Sequence, residues 1–197
     1  MNRVSAIQQI EQYFDQDEFF SELSRRVKVR TESQIPDQQV NLFKYLEDEI
    51  AASLVDLGFG YTIEQNPIEG GGPVLVAERV EDPSFTTVLT YGHGDVVRGY
   101  DDQWRHDLNP WILTREDDRW FGRGTADNKG QHTINLAALR CVLACRGCLG
   151  FNIKILIETG EEVGSLGLRE ICAANKDRLT ADVFIASDGP RITAGQP

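Results

Sequence analysis

Apolar and polar positions along this chain recur with two different periods. From residue 5 to about 29, apolar residues return at helical spacing among charged ones. A second amphipathic helix is predicted from Pro36-Asp37, where Val40, Phe43, Leu46, Ile50, Leu54 and Leu57 keep the period until Gly58 stops it. Short β-type runs follow at 61–64, 74–79, 86–91, 111–116, 152–158 and 182–187, separated by turn residues or helices. One of those helices spans about 128–146 and is closed by Gly147. Another spans about 166–178, after Gly164-Ser165. Strands alternating with helices predict an α/β layer fold, with a mixed, mostly parallel sheet sandwiched by helices. No internal repeat, low-complexity stretch or linker divides residues 1–197.

Composition narrows the functional classes. A chain of 197 residues with 41% hydrophobic content can bury a sizeable core. Thirty-one acidic against twenty basic residues give a net charge of -11, which disfavours nucleic acid and an anionic membrane surface alike. No run approaches the roughly 18 apolar residues of a membrane span, and Met1-Asn2-Arg3-Val4-Ser5 opens a polar helix rather than a signal peptide. A cytoplasmic location is therefore expected. Cys141, Cys145, Cys148 and Cys172 lack the spacing of a secreted disulfide framework and read as reduced thiols. The first three spell C-x3-C-x2-C, an iron–sulfur spacing. The same positions also form one face of a helix that Leu136, Leu139, Val142 and Leu143 make apolar, so a small-residue core face is expected.

Two common enzyme classes lose support. Gly70-Gly71-Gly72-Pro73 precedes a strand without Lys-Ser or Lys-Thr, so it reads as a turn rather than a phosphate loop. Gly122-Arg123-Gly124 lacks a dinucleotide fingerprint's third glycine, and no Gly-x-Ser-x-Gly elbow occurs.

In open α/β sheets, ligands bind beyond the carboxyl ends of the strands, where several loops converge on a rigid frame. The run at 86–91 leads into Gly92-His93-Gly94-Asp95, the run at 152–158 into Thr159-Gly160-Glu161-Glu162, and the run at 182–187 into Asp188-Gly189-Pro190. A further loop delivers Asp127 at a helix start. Any single carboxylate in so acidic a chain is far more often a solvated surface group or helix cap than a ligand. Four placements at one sheet edge, with one of only three histidines, point instead to a metal centre suited to zinc, cobalt or manganese.

These segments carry a resemblance. Gly92-His93-Gly94-Asp95-Val96-Val97, the run from Gly122 to Gly130, Glu161-Glu162-Val163-Gly164-Ser165 and Ser187-Asp188-Gly189 are similar, in order and spacing, to the zinc-dependent exopeptidases and deacylases. That family includes aminoacylase, acetylornithine deacetylase, succinyl-diaminopimelate desuccinylase and glutamate carboxypeptidase. Trp104 and Pro110-Trp111 resemble its segment between the first two motifs.

The resemblance implies that His93 and Asp188 hold one Zn2+, that Asp127 bridges to a second, and that Glu162 binds the second. Co2+ or Mn2+ would suit the same ligands. Glu161 would be the general base, and Asp95 the outer carboxylate that orients His93. The implied reaction is hydrolysis of an amide bond in a small carboxylate-bearing peptide or N-acyl amino acid, by a water that the metals activate. Arg123 could neutralise metal-shell carboxylates, meet a substrate carboxylate or form a surface ion pair. His132 and His106 match no ligand position and read as non-catalytic.

Family members are about twice this length. The chain is therefore expected to be the N-terminal part of a catalytic domain, lacking the lid domain and the last ligand, a histidine, and to be inactive alone and oligomeric. A non-catalytic metal-binding or interaction domain descended from such an enzyme is the alternative.

Overall fold

The computed structural model describes residues 3–189 and 193; Met1 and Asn2 of the polar start, and Pro190, lie outside them. A five-stranded sheet forms the frame. Its strands are β1 (Gly60–Glu64), β2 (Val74–Arg79), β3 (Thr87–His93), β6 (Asn152–Glu158) and β7 (Val183–Ala186), in the order β1-β2-β6-β3-β7. The sheet is mixed: β1 and β2 pair antiparallel, as do β2 and β6, whereas β6, β3 and β7 run parallel. A separate hairpin joins β4 (Thr114–Glu116) to β5 (Arg119–Phe121).

Both faces of the central strands are covered, which explains their near-continuous apolar runs. On one face, Leu75, Ala77, Ile153, Ile155 and Ile157 pack against Tyr45, Leu46, Ile50, Leu54 and Leu136. Leu136 belongs to α5 (Lys129–Arg146), which ends at Gly147 in the left-handed conformation, φ 72°. The others come from one continuous helical segment: a 3-10 turn Pro36–Gln38, α3 (Gln39–Lys44), a π-helical stretch Tyr45–Ala51 and α4 (Ala52–Val55). On the other face, Val74, Val76 and Leu156 pack against Ile171 of α6 (Leu168–Ala174).

Several expected elements are redrawn. The helix expected over 5–29 breaks into α1 (Arg3–Asp15) and α2 (Glu18–Lys28), because Asp17 adopts a left-handed conformation at φ 61° and turns the chain. The helix at 166–178 divides at Asn175 into α6 and α7 (Lys176–Leu179). The strand expected at 111–116 survives only as β4, while Trp111 and Leu113 are buried from irregular backbone.

A polar network ties the helical layer together. Arg26 is fully buried and donates to Glu22 at 2.6 Å, Thr133 at 2.6 Å and Ser53 at 3.0 Å. Arg140 reaches the same Glu22 at 2.8 Å, and the Tyr13 hydroxyl donates to it as well. Burial alone would raise the Glu22 carboxyl, but Arg140, Arg26 and Tyr13 hold it down at about 2.

All four cysteines are free thiols: Cys141 and Cys145 are buried along α5, Cys172 is partly buried, and Cys148 is exposed beyond Gly147. Only two of the C-x3-C-x2-C positions thus share the expected core face. No helix among the described residues is long and apolar enough to cross a membrane.

Candidate metal centre

The parallel register of β6, β3 and β7 aligns their carboxyl ends: His93 lies opposite Glu158, and Tyr91 opposite Ala186. The loop after each strand therefore opens at the same edge, as α/β architecture requires of a binding site. A fourth loop reaches this edge just ahead of α5. It turns at Gly124, φ 83°, where an added Cβ would meet Lys129 Cδ and Val96 Cγ1 at 3.0 Å each.

These loops bring together every ligand type named from the sequence. His93 Nε2 lies 3.0 Å from Asp127 Oδ1, 3.8 Å from Glu161 Oε2 and 4.0 Å from Asp188 Oδ2. Two overlapping triads result, His93–Asp127–Glu162 and His93–Glu161–Asp188, each with its ligand atoms within 4.8 Å of one another. Glu161 and Glu162 separate to different triads because Glu161–Val163 form a 3-10 turn rather than a continued strand.

Asp95 stands behind this cluster, fully buried. Its Oδ1 is 3.2 Å from His93 Nδ1, and its backbone carbonyl oxygen is 3.1 Å from the same nitrogen. Both are acceptors, so Nδ1 carries the proton and Nε2 faces the carboxylates. The Asp95 carboxylate also accepts the backbone N–H groups of Glu161 at 3.2 Å and Glu162 at 3.1 Å. The loop carrying Asp95 is braced in turn by Thr31, whose hydroxyl donates to Gly94 O at 2.7 Å and whose carbonyl accepts Val96 N–H at 2.9 Å.

The electrostatics are those of an anionic cluster gathered around one imidazole. Among the described residues, no Lys or Arg forms an ion pair with Asp127, Glu161, Glu162 or Asp188. Burial opposes protonation of His93, yet the hydrogen bond and charge of Asp95, with Asp127 and Asp188, push its pKa up to about 9. Glu161 is raised by burial and by Asp188, Asp95 and Asp127, against the lowering effect of His93. Glu162 is raised by burial and by the Asp127 charge. An imidazole held in one tautomer and four carboxylates without counter-cations form a donor set that fits divalent metal ions.

Sequence reasoning missed the roles of Asn128 and Lys129 and the partners of His132. Asn128, which it named only as part of a motif, is fully buried and contacts both β3 and the loop after β7. His132 is indeed a buried helix residue, bonded to the Tyr45 hydroxyl at 2.6 Å; burial, with nearby Arg26, His93 and Lys129, pushes its pKa far down. Lys129 is buried with Nζ donating to the carbonyls of Arg26 at 2.9 Å and Val29 at 2.7 Å, which caps α2. Arg123 lies over the Trp104 ring at 5.7 Å and has no carboxylate partner among the described residues. His106 is 96% exposed beside Asp107. The Gly70–Pro73 segment is a turn leading into β2.

Residues 89–196 match the profile of peptidase family M20/M25/M40. The chain belongs to this family. Among M20 relatives, the Beta-Ala-His dipeptidase of Homo sapiens is 32% identical over 210 residues, which cover 97% of this chain and 40% of that protein. The cysteinylglycine-S-conjugate dipeptidase of Corynebacterium striatum is 31% identical over 185 residues, with 93% and 39% covered. The crystal structure of human carnosine dipeptidase 1 superposes with a TM-score of 0.85 at 32% identity, over 95% of this chain and 41% of that one. The di-peptidase Dug1p of Saccharomyces cerevisiae superposes at 0.82 with 26% identity, over 95% and 41%. This chain thus spans about two fifths of the length of the M20 proteins it matches.

Proposed function

We propose that these residues form the metal-binding catalytic part of a two-metal peptidase that cleaves dipeptides or N-acyl amino acids next to a free carboxylate. The observation that carries this reading is the convergence of Asp127, Glu161, Glu162 and Asp188 on one buried, orientation-locked imidazole, although the two geometric triads divide these acids differently from the ligand set below. In this reading His93 and Asp188 would hold one zinc ion, Glu162 would hold a second, and Asp127 would serve both. When bound, the metals polarise the scissile carbonyl and lower the pKa of water. Glu161, made more basic by burial and neighbouring acids, takes the proton of the attacking water and passes it to the leaving amine. Asp95 keeps His93 Nε2 directed at the metal and fixes the Glu161-Glu162 backbone.

Asp127 and Glu162 are fewer than the three protein ligands usual for catalytic zinc, so in this reading a further ligand to the second metal would come from outside these residues. The names of the relatives favour dipeptides over acylated amino acids. The test is zinc stoichiometry and dipeptide hydrolysis of the full-length protein, with His93→Ala and Asp188→Ala beside the wild type. Loss of metal and of turnover in both variants is expected. Turnover that persists after zinc removal or in His93→Ala refutes the reading.

A further inference from the structure

Asn128 follows a proposed metal ligand directly and is fully buried, and its side-chain amide bonds to the backbone of the neighbouring loops. Its amide NH2 donates to the Ser187 carbonyl at 2.6 Å, one residue before Asp188. Its Oδ1 lies 3.3 Å from the backbone N–H of His93 and 3.2 Å from His132 Nδ1. The three proposed ligands His93, Asp127 and Asp188 therefore share one amide, which touches the backbone of the first, is covalently next to the second and holds the residue before the third.

That amide is itself fixed from behind. Asn128 Oδ1 is an acceptor, so His132 Nδ1 carries the ring proton, and His132 Nε2 accepts the Tyr45 hydroxyl at 2.6 Å. Each link uses a donor on one side and an acceptor on the other, and Asn128, His132, Tyr45 and His93 are buried with Ser187 partly so, so rotation of Asn128 would strand several of them. Gly92 completes the fit: an added Cβ would come within 3.0 Å of Asn128 Oδ1.

We propose that Asn128, anchored through His132 to Tyr45, is a positioning residue that sets the spacing of the three metal-ligand loops. This rests on the metal-site reading above. Asn128→Asp keeps shape and the acceptor oxygen but places a carboxylate oxygen against the Ser187 carbonyl, which should release the loop bearing Asp188.

The test uses the full-length protein, measuring zinc affinity, the visible absorption of the Co2+-loaded form, and kcat and KM for a dipeptide. Asn128→Asp is expected to lose about 10–100-fold in zinc affinity, with an altered Co2+ spectrum and a fall in kcat larger than any change in KM. Wild-type zinc affinity and Co2+ spectrum in that variant, even with a lowered melting temperature, would reduce Asn128 to a packing role and overturn the proposal. If Asn128→Asp does not fold, Tyr45→Phe removes one hydroxyl and keeps the ring. A smaller loss of zinc affinity with the same spectral change is then expected, and wild-type values overturn the proposal. Should the wild type bind no zinc, the metal-site reading fails and this inference with it. Should only the variants match a zinc-binding wild type, this inference fails alone.

Discussion

Replacing Asp95 with Asn exchanges one carboxylate oxygen for an amide NH2 at constant shape. The native carboxylate accepts three donors in a fully buried place: the imidazole N–H of His93 and the backbone N–H groups of Glu161 and Glu162. The amide of Asn can accept through its oxygen alone, so its NH2 faces a backbone N–H. One unpaired buried donor costs about 1–3 kcal/mol, and losing the charged acceptor behind the imidazole removes a hydrogen bond worth about 1.5–3 kcal/mol. The sum, about 2.5–6 kcal/mol, divides between the fold and the metal. The metal's share is about 10–100-fold in affinity, as for other outer-shell partners of ligating histidines. Zinc competition against a chromophoric chelator reads that share, and thermal melting of the metal-free protein reads the other. The His93 imidazole provides an internal control: with the hydrogen bond and charge of Asp95 gone, its NMR titration should fall from about 9 toward the ordinary 6.5. Unchanged zinc affinity, melting and His93 titration in Asp95→Asn would show that the carboxylate does not organise the site.

Glu161→Gln should retain zinc and lower kcat about 10²–10⁴-fold, since it removes the proton acceptor without altering side-chain size; near-native kcat in a steady-state dipeptide assay would assign the base elsewhere. His93 must release its proton before Nε2 can take a metal, so zinc affinity should climb as much as tenfold per pH unit and level off above about 9. The raised pKa has the opposite effect on the metal-free fold: its stabilisation is complete below 6.5 and is lost as pH rises through about 9. Zinc titrations and metal-free melts across this range check both signs, and affinity that is flat with pH contradicts the assignment. Arg26→Ala leaves Glu22 buried with fewer partners and should cost about 3–5 kcal/mol in denaturant unfolding of the metal-free protein, whereas a loss below about 1 kcal/mol would mean that Arg140 and Tyr13 suffice.

What the sequence disclosed followed from how the layers cover the sheet. The runs at 74–79 and 152–158 coincide with β2 and β6, because strands buried on both faces carry unbroken apolar segments between clear turn residues. Three of the four loops carrying the proposed ligands begin where a β-type run ends, which made them visible in the sequence; the fourth, with Asp127, was marked by the helix start that follows it. The break at Asp17 left no compositional mark, since a left-handed Asp reads like any helical surface residue. β5 escaped because three residues, Arg119-Trp120-Phe121, are too few to show a period. The link between Tyr45 and His132 joins positions 87 apart in the chain, and periodicity reports the face a residue occupies, never its partner on another element.

Asp188 follows β7, a four-residue strand that pairs on one side only and whose residues are all exposed, Phe184 at 63%. On the proposed ligand set the Asp188 carboxylate rides on an exposed edge strand, so metal binding would include the work of holding that strand in register. Occupancy and strand order would then be coupled. Zinc should slow amide hydrogen exchange in β7 more than in β2, and any partner or further part of the protein that covers β7 would tighten the metal centre without touching a ligand.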